Sequence, residues 1–204
     1  LKESYGDTRR TRILAEAVEE FEEEVIPEEN VLISITQRSY IKRTPARVYR
    51  PQERGGRGVT GITTQEEDAV LYLFAANTLD SILFFSNQGR VYRERAYQIP
   101  DAGLRGKGMP LVNLVPLEQS ELVTAALTIP DFEQVEDSEG PWPEGSGFAE
   151  LTQVGGPYLT MVTQCGKIKR TALAEFASIR SSGLIAISLD EGDDLKWVEW
   201  TDGK

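Results

Sequence analysis

The sequence predicts an all-β protein of about three repeated, blade-like units preceded by one amphipathic α-helix. Two observations carry this expectation. From residue 31 onward the apolar residues fall in short β-branched and aromatic runs broken by Gly, Pro, Asn and Ser, and one hairpin pattern is written three times.

Residues 8 to 26 come first. Ile13, Leu14, Ala17, Val18, Phe21 and Val25 recur at helical spacing, Asp7 or Thr8 is placed to cap the start, and Pro27 ends the pattern. The acidic face of this helix reads as a solvated face rather than as a shield for a basic surface. The runs that follow are "VLISI", "AVLYLF", "SILFF", "LVNLV", "LVTAALTI", "YLTMV", "LIAISL" and "LKWVEW". No long helical pattern separates them, which argues against parallel βαβ units.

The repeat is explicit. "TQRSYIKR" (36 to 43), "SNQGRVYR" (86 to 93) and "TQCGKIKR" (163 to 170) each place a polar turn before an apolar residue flanked by basic ones. A Gly-, Ser- or Arg-rich loop follows each: "ERGGRG", "GLRGKG" and "SIRSSG", ending at Gly58, Gly108 and Gly183. The first two units begin 50 residues apart and the next two 77 apart, the excess being an acidic Pro/Gly-rich insertion over about 130 to 155. Units near fifty residues, each of several short strands, are the signature of radial β architectures. The expected division is a linker helix over 1 to 30 and a partial β domain over 31 to 204, with blades near 31 to 80, 81 to 129 and 156 to 200. The final "LKWVEW" matches the strand "VLYLFAANTLD" (70 to 80), so the chain reads as part of something larger, with strands near 184 to 200 left short of a next hairpin.

Composition removes much chemistry. With no histidine and one cysteine, Cys165, there is no internal disulfide, no zinc finger, no Cys–His pair and no Ser–His–Asp triad. No apolar run approaches the length of a membrane helix and the start lacks a signal-peptide core, so a cytoplasmic location and no membrane partner are expected. The net charge of −11 is segregated: between residues 31 and 65 seven cations (Arg38, Lys42, Arg43, Arg47, Arg50, Arg54 and Arg57) face one acid, Glu53. A field follows the distribution of charge rather than its total.

Gly56, Gly58 and Gly61 have G-x-G-x-x-G spacing, but the flanks lack the strand-to-helix context that a dinucleotide site needs. A lone glycine loop is sufficiently explained as a turn kept soluble by arginine. Its repetition favours a track of loops in which backbone N–H groups and arginines face phosphates. With no aromatic–basic interleaving to suggest base stacking, duplex nucleic acid whose sequence goes largely unread fits better than a single strand. Glu66–Glu67 and Asp193–Asp194 read as turn and surface charge, and Trp142, Trp197 and Trp200 as packing residues.

At this point the residues carry a resemblance. "QERGGRG" (52 to 58) resembles the Q-R-R-G-G-K-G box of the A subunits of bacterial DNA gyrase, "YIKRTP" resembles the opening hairpin of their C-terminal domain, and "LKESYGDTRRTRI" is similar to the segment closing their breakage–reunion region. Gln52, Arg54, Gly55, Gly56 and Gly58 match the box, Arg57 replaces its lysine, and Glu53 departs from it. The resemblance implies a strand-swapped β-pinwheel that wraps double-stranded DNA without sequence preference. Wrapping would enable ATP-dependent negative supercoiling by the heterotetrameric holoenzyme that gyrase A and B chains form together. The resemblance also implies that this part is non-catalytic and carries no cofactor, with ATP and Mg held elsewhere and the catalytic tyrosine upstream. The expected DNA-binding residues are Gln52, Arg54, Gly55, Gly56, Arg57 and Gly58 of the box, Arg105 and Lys107 of the second loop, and Lys42, Arg43, Arg93, Lys169 and Arg170 of the hairpins. The alternatives are the related domain of topoisomerase IV A subunits, which lack an intact box, and a protein-docking propeller, which only the net acidity supports.

Overall fold

The structure, a computed structural model, describes residues 26 to 49, 68 to 129 and 157 to 201. The helix expected over 8 to 26 (but for its last residue), the box at 52 to 58 and the acidic insertion lie outside the described residues. The strands are β1 (Asn30–Thr36), β2 (Tyr40–Pro45), β3 (Val70–Asn77), β4 (Ser81–Ser86), β5 (Arg90–Arg95), β6 (Met109–Pro110), β7 (Val123–Ile129), β8 (Tyr158–Thr163), β9 (Ile168–Ala172), β10 (Leu184–Ile185) and β11 (Leu195–Thr201).

They form three antiparallel sheets in the orders β3-β1-β2-β6, β10-β5-β4-β7 and β11-β8-β9. Each sheet is built on one of the predicted hairpins, and each takes its long third strand from the end of the same unit. The short fourth strand comes from the unit that follows. β6 leaves the second unit to pair with β2, placing Tyr40 opposite Pro110 and Ile41 opposite Met109. β10 leaves the third unit to pair with β5, placing Leu184 opposite Val91. The strand-swapped, all-β expectation is thus met by the described residues.

The patterns of burial explain the strands. In β1, Val31, Ile33 and Ile35 alternate inward, as a strand with one packed face requires. The four central residues of β4 are apolar because the strand is buried on both faces: Ile82 and Phe84 join the core shared with the first sheet, and Leu83 and Phe85 join the core shared with the third. Phe85 meets Phe176 edge-to-face at 6.0 Å between ring centres.

One expected strand is absent. "LVNLV" forms a 3-10 turn at Leu111–Asn113, with Leu111 and Val115 buried and Val112 exposed. Its inward residues are four apart, a helical rather than an alternating spacing, and Pro110 ahead of it removes a ladder donor. β10 and β11 each pair on one side only, with β5 and β8, and lie at the edges of their sheets, as β9 does among the described residues.

The exchange explains the last glycine of the second and third loops. Gly108 (φ 80°) and Gly183 (φ 79°) turn the chain into β6 and β10 in the left-handed region. A Cβ at Gly108 would run into the carbonyl oxygen of Ile41, and one at Gly183 would stand 2.6 Å from Cε1 of Tyr92. We therefore expect Gly108→Ala to destabilise the domain by roughly 1–3 kcal/mol, since strain of this kind carries about that cost. Gly103→Ala in the same loop has open space around it and is the control; urea midpoints of the two variants measure the difference.

The Tyr92 hydroxyl, buried in the same joint, donates to Oε2 of Glu121 at 2.8 Å, and Glu121 is itself buried. Burial, then the hydrogen bond to Glu121 and its charge, push the phenol from 10.0 up to about 12. The folded state holds this proton more tightly than the unfolded chain, so the contribution is complete below pH 10 and disappears between about pH 10 and 12. Stability should fall less steeply over that window in Tyr92→Phe than in the unaltered protein, as thermal melts at a series of pH values would show.

Candidate nucleic-acid interface

The loop between β5 and β6 is held against the first hairpin from several sides. Backbone bonds run from the N–H of Arg43 to the carbonyl of Pro100 (3.0 Å), from Ala102 to Arg43 (3.1 Å) and from Leu111 to Ser39 (2.8 Å). The third unit repeats the last of these, with the Ala186 N–H donating to Gly89 at 2.9 Å. The register of the two swapped strands aligns "GLRGKG" (103 to 108) with "SIRSSG" (178 to 183) position by position.

On the first of these loops Arg105 and Lys107 are exposed, as expected of DNA-facing cations. The ammonium of Lys107 sits 4.1 Å from the centre of the Tyr40 ring, a cation–π contact that fixes its base against the neighbouring hairpin. At the equivalent place in the next joint Arg90 takes the position of Tyr40, and its Nη2 donates to the carbonyl of Ser182 at 2.7 Å. Arg90 also pairs with Glu118 at 3.4 Å.

The hairpin cations separate into two groups. Lys42 is 3% exposed, and its Nζ donates to the carbonyls of Gly103 (3.1 Å), Leu104 (3.0 Å) and Gly106 (2.7 Å). Burial lowers its pKa. Its three donors are thus engaged inside the joint, where the sequence reading expected a group on the outer track. Arg43 and Arg93 are half-buried at the same joints, and Nη1 of Arg93 donates to the carbonyl of Ala177 at 2.6 Å. Lys169 and Arg170 occupy the corresponding positions on β9 and are exposed, because no swapped strand covers that edge among the described residues. Nζ of Lys169 donates to Ala186 at 2.7 Å, and the Arg170 guanidinium lies 4.8 Å from the Tyr158 ring centre. Gln52, Arg54, Gly55, Gly56, Arg57 and Gly58 lie outside the described residues.

Sequence reasoning passed over Arg180. It is exposed on the third loop at the position of Arg105, and the alignment of "GLRGKG" with "SIRSSG" would have found it. Asp101 and Glu175, both exposed, flank the loops and offset part of their field.

Asp193 has a structural role. Oδ1 of Asp193 accepts the N–H groups of Cys165 and Asp194, each at 2.9 Å, so the Asp193–Asp194 pair is turn chemistry as expected. The thiol of Cys165 is pushed up by its hydrogen bond to Asp193 and by that charge, which makes it a poor nucleophile. No helix among the described residues is long and apolar enough to cross a membrane.

Comparison with known proteins follows the same three sheets. The profile of a family described as "DNA gyrase C-terminal domain, beta-propeller" matches residues 30–77, 80–130 and 157–199. The chain is 42% identical over its whole length to the gyrase A protein of Halalkalibacterium halodurans and 38% identical to that of Staphylococcus epidermidis, and spans 22% and 21% of those proteins. Among solved structures it resembles the C-terminal domain of DNA topoisomerase IV (25% identity, TM-score 0.61, covering 87% of this chain and 47% of that one). It also has the fold of a DNA gyrase A C-terminal domain (23% identity, TM-score 0.54, covering 85% and 48%). With the profile matching most of the chain and relatives above 30% identity along all of it, the chain belongs to the DNA gyrase C-terminal domain, beta-propeller family.

Proposed function

We propose that this chain is the part of a gyrase A protein that binds and wraps double-stranded DNA, without reading its sequence, so that the holoenzyme formed with gyrase B can supercoil DNA negatively with ATP. The observation that carries the reading is the repeated joint, where each strand exchange sets a loop with exposed cations, Arg105 and Lys107 and then Arg180, at the same place on successive sheets. Cations at intervals suit a polymer of phosphates, and the contacts must be distributed, because bending 20 to 30 base pairs through 40 to 90° costs about 1–6 kcal/mol. Gln52, Arg54, Gly55, Gly56, Arg57 and Gly58 extend the same track, as do Lys169 and Arg170. The chain itself carries no catalytic group and no cofactor in this reading, and works in the cytoplasm.

The gyrase reading is preferred to that of topoisomerase IV because the relatives matched along the whole chain are gyrase A proteins and "QERGGRG" retains most of the box. A protein-docking propeller has the net charge of −11 in its favour, but those acids are concentrated away from the loops.

The test is a titration of the whole gyrase A protein with arbitrary duplexes over a range of salt. Affinity should fall steeply with salt and vary little with sequence, and Arg105→Ala with Lys107→Ala should reduce the log–log slope by about two, since each phosphate contact contributes about 0.9. Salt-insensitive binding, or binding to one sequence alone, would contradict the proposal.

A further inference from the structure

Lys42 and the loop above it form a unit whose consequence lies in the backbone. Three carbonyls of one short loop, those of Gly103, Leu104 and Gly106, converge on a single ammonium 2.7 to 3.1 Å away. In a trans peptide the N–H points opposite to the C=O of the same plane. With these carbonyls facing inward, the N–H groups of Leu104, Arg105 and Lys107 face away from Lys42. None of the three has a hydrogen-bond partner among the described residues. The side chains of Arg105 and Lys107 are exposed on that same loop.

We propose that Lys42 is a positioning residue that builds a phosphate seat from below. It turns three peptide planes so that their N–H groups, together with Arg105 and Lys107, face two adjacent DNA phosphates.

Successive outward N–H groups make an anion-binding concavity, and two flanking cations add charge-assisted donors. A buried ammonium holding three carbonyls is a fixed support, because releasing the loop would leave a charge and the Leu104 and Gly106 acceptors without partners. Among the described residues, three loop carbonyls converge on one buried cation only at this joint. At the next one the position of Lys42 is taken by Tyr92, whose ring packs under Gly183 and whose hydroxyl donates to Glu121, and a cation, Arg90, holds just the Ser182 carbonyl of "SIRSSG". The second loop is therefore the stronger seat, although both loops expose an arginine.

The proposal rests on the reading of the chain as a DNA binder, and a double-mutant cycle in the whole gyrase A protein separates the two. The probe is one arbitrary duplex titrated at several salt concentrations, with thermal midpoints measured in parallel. Lys42→Met keeps the aliphatic stem and removes the ammonium. It should lower the log–log salt slope by about two, close to the loss in the Arg105→Ala, Lys107→Ala variant, although both surface cations remain. Adding Lys42→Met to that variant should reduce the slope little further, because the three residues act as one site. A slope unchanged by Lys42→Met, even with a lowered thermal midpoint, would overturn the proposal and leave Lys42 a core residue only. Losses that simply add would overturn it as well, since they would mean that Lys42 meets DNA on its own account. Should Lys42→Met not fold, Lys42→Tyr places there the residue that the next joint accommodates, and the same slope decides. If the unaltered protein shows no salt-dependent affinity, the DNA-binding reading falls and the seat with it.

Discussion

The exchange of a two-residue strand between neighbouring units is the constraint on which the remaining structure depends. β6 and β10 are too short to contribute much by themselves, but each fixes the register at which one unit meets the preceding hairpin. That register sets what enters the joint: Gly108 against the Ile41 carbonyl, Gly183 against the Tyr92 ring. It also stacks the sheets, so that β4 lies between two cores and presents Ile82 and Phe84 to one and Leu83 and Phe85 to the other. The loop that carries the cations is therefore a by-product of the chain's route into the exchange. The fold places one such loop at each joint whether or not the loop binds anything.

Binding is then a matter of which cations the joint consumes. Lys42, Arg43 and Arg93 are drawn inward to backbone carbonyls or half-buried at the hairpin edge, whereas Arg105, Lys107 and Arg180 remain exposed on the loops. A buried ammonium holding carbonyls still adds a positive charge beneath the loop, in surroundings where water screens it little. Local charge of this kind explains how a chain of net −11 can present basic surfaces, the acids being gathered in stretches such as residues 130 to 150.

Much of this was legible in the residues. Three copies of a polar turn followed by basic and apolar residues located the hairpins β1–β2, β4–β5 and β8–β9, and the recurrent glycines located the loops. The two swapped strands were not legible, because two residues carry no periodicity and their partners lie some seventy to ninety positions earlier in the chain, opposite Ile41 and Val91. For the same reason Lys42 could not be told from an exposed cation: the carbonyls it holds begin 61 residues further on. "LVNLV" misled because apolar density was read as a strand, although its buried residues, Leu111 and Val115, keep helical spacing.

The central claim is that DNA meets the loops at the strand-exchange joints and not the exposed apolar residues of the sheets. Site-specific photo-crosslinking in the whole gyrase A protein tests it most directly, with a photoreactive residue placed singly at positions 105, 107, 180, 73 and 197. The account predicts crosslinks to duplex DNA from 105, 107 and 180 that vanish at high salt, and none from the sheet positions of Leu73 and Trp197, both of which are exposed. Crosslinks from 73 or 197 with none from the loops would contradict it.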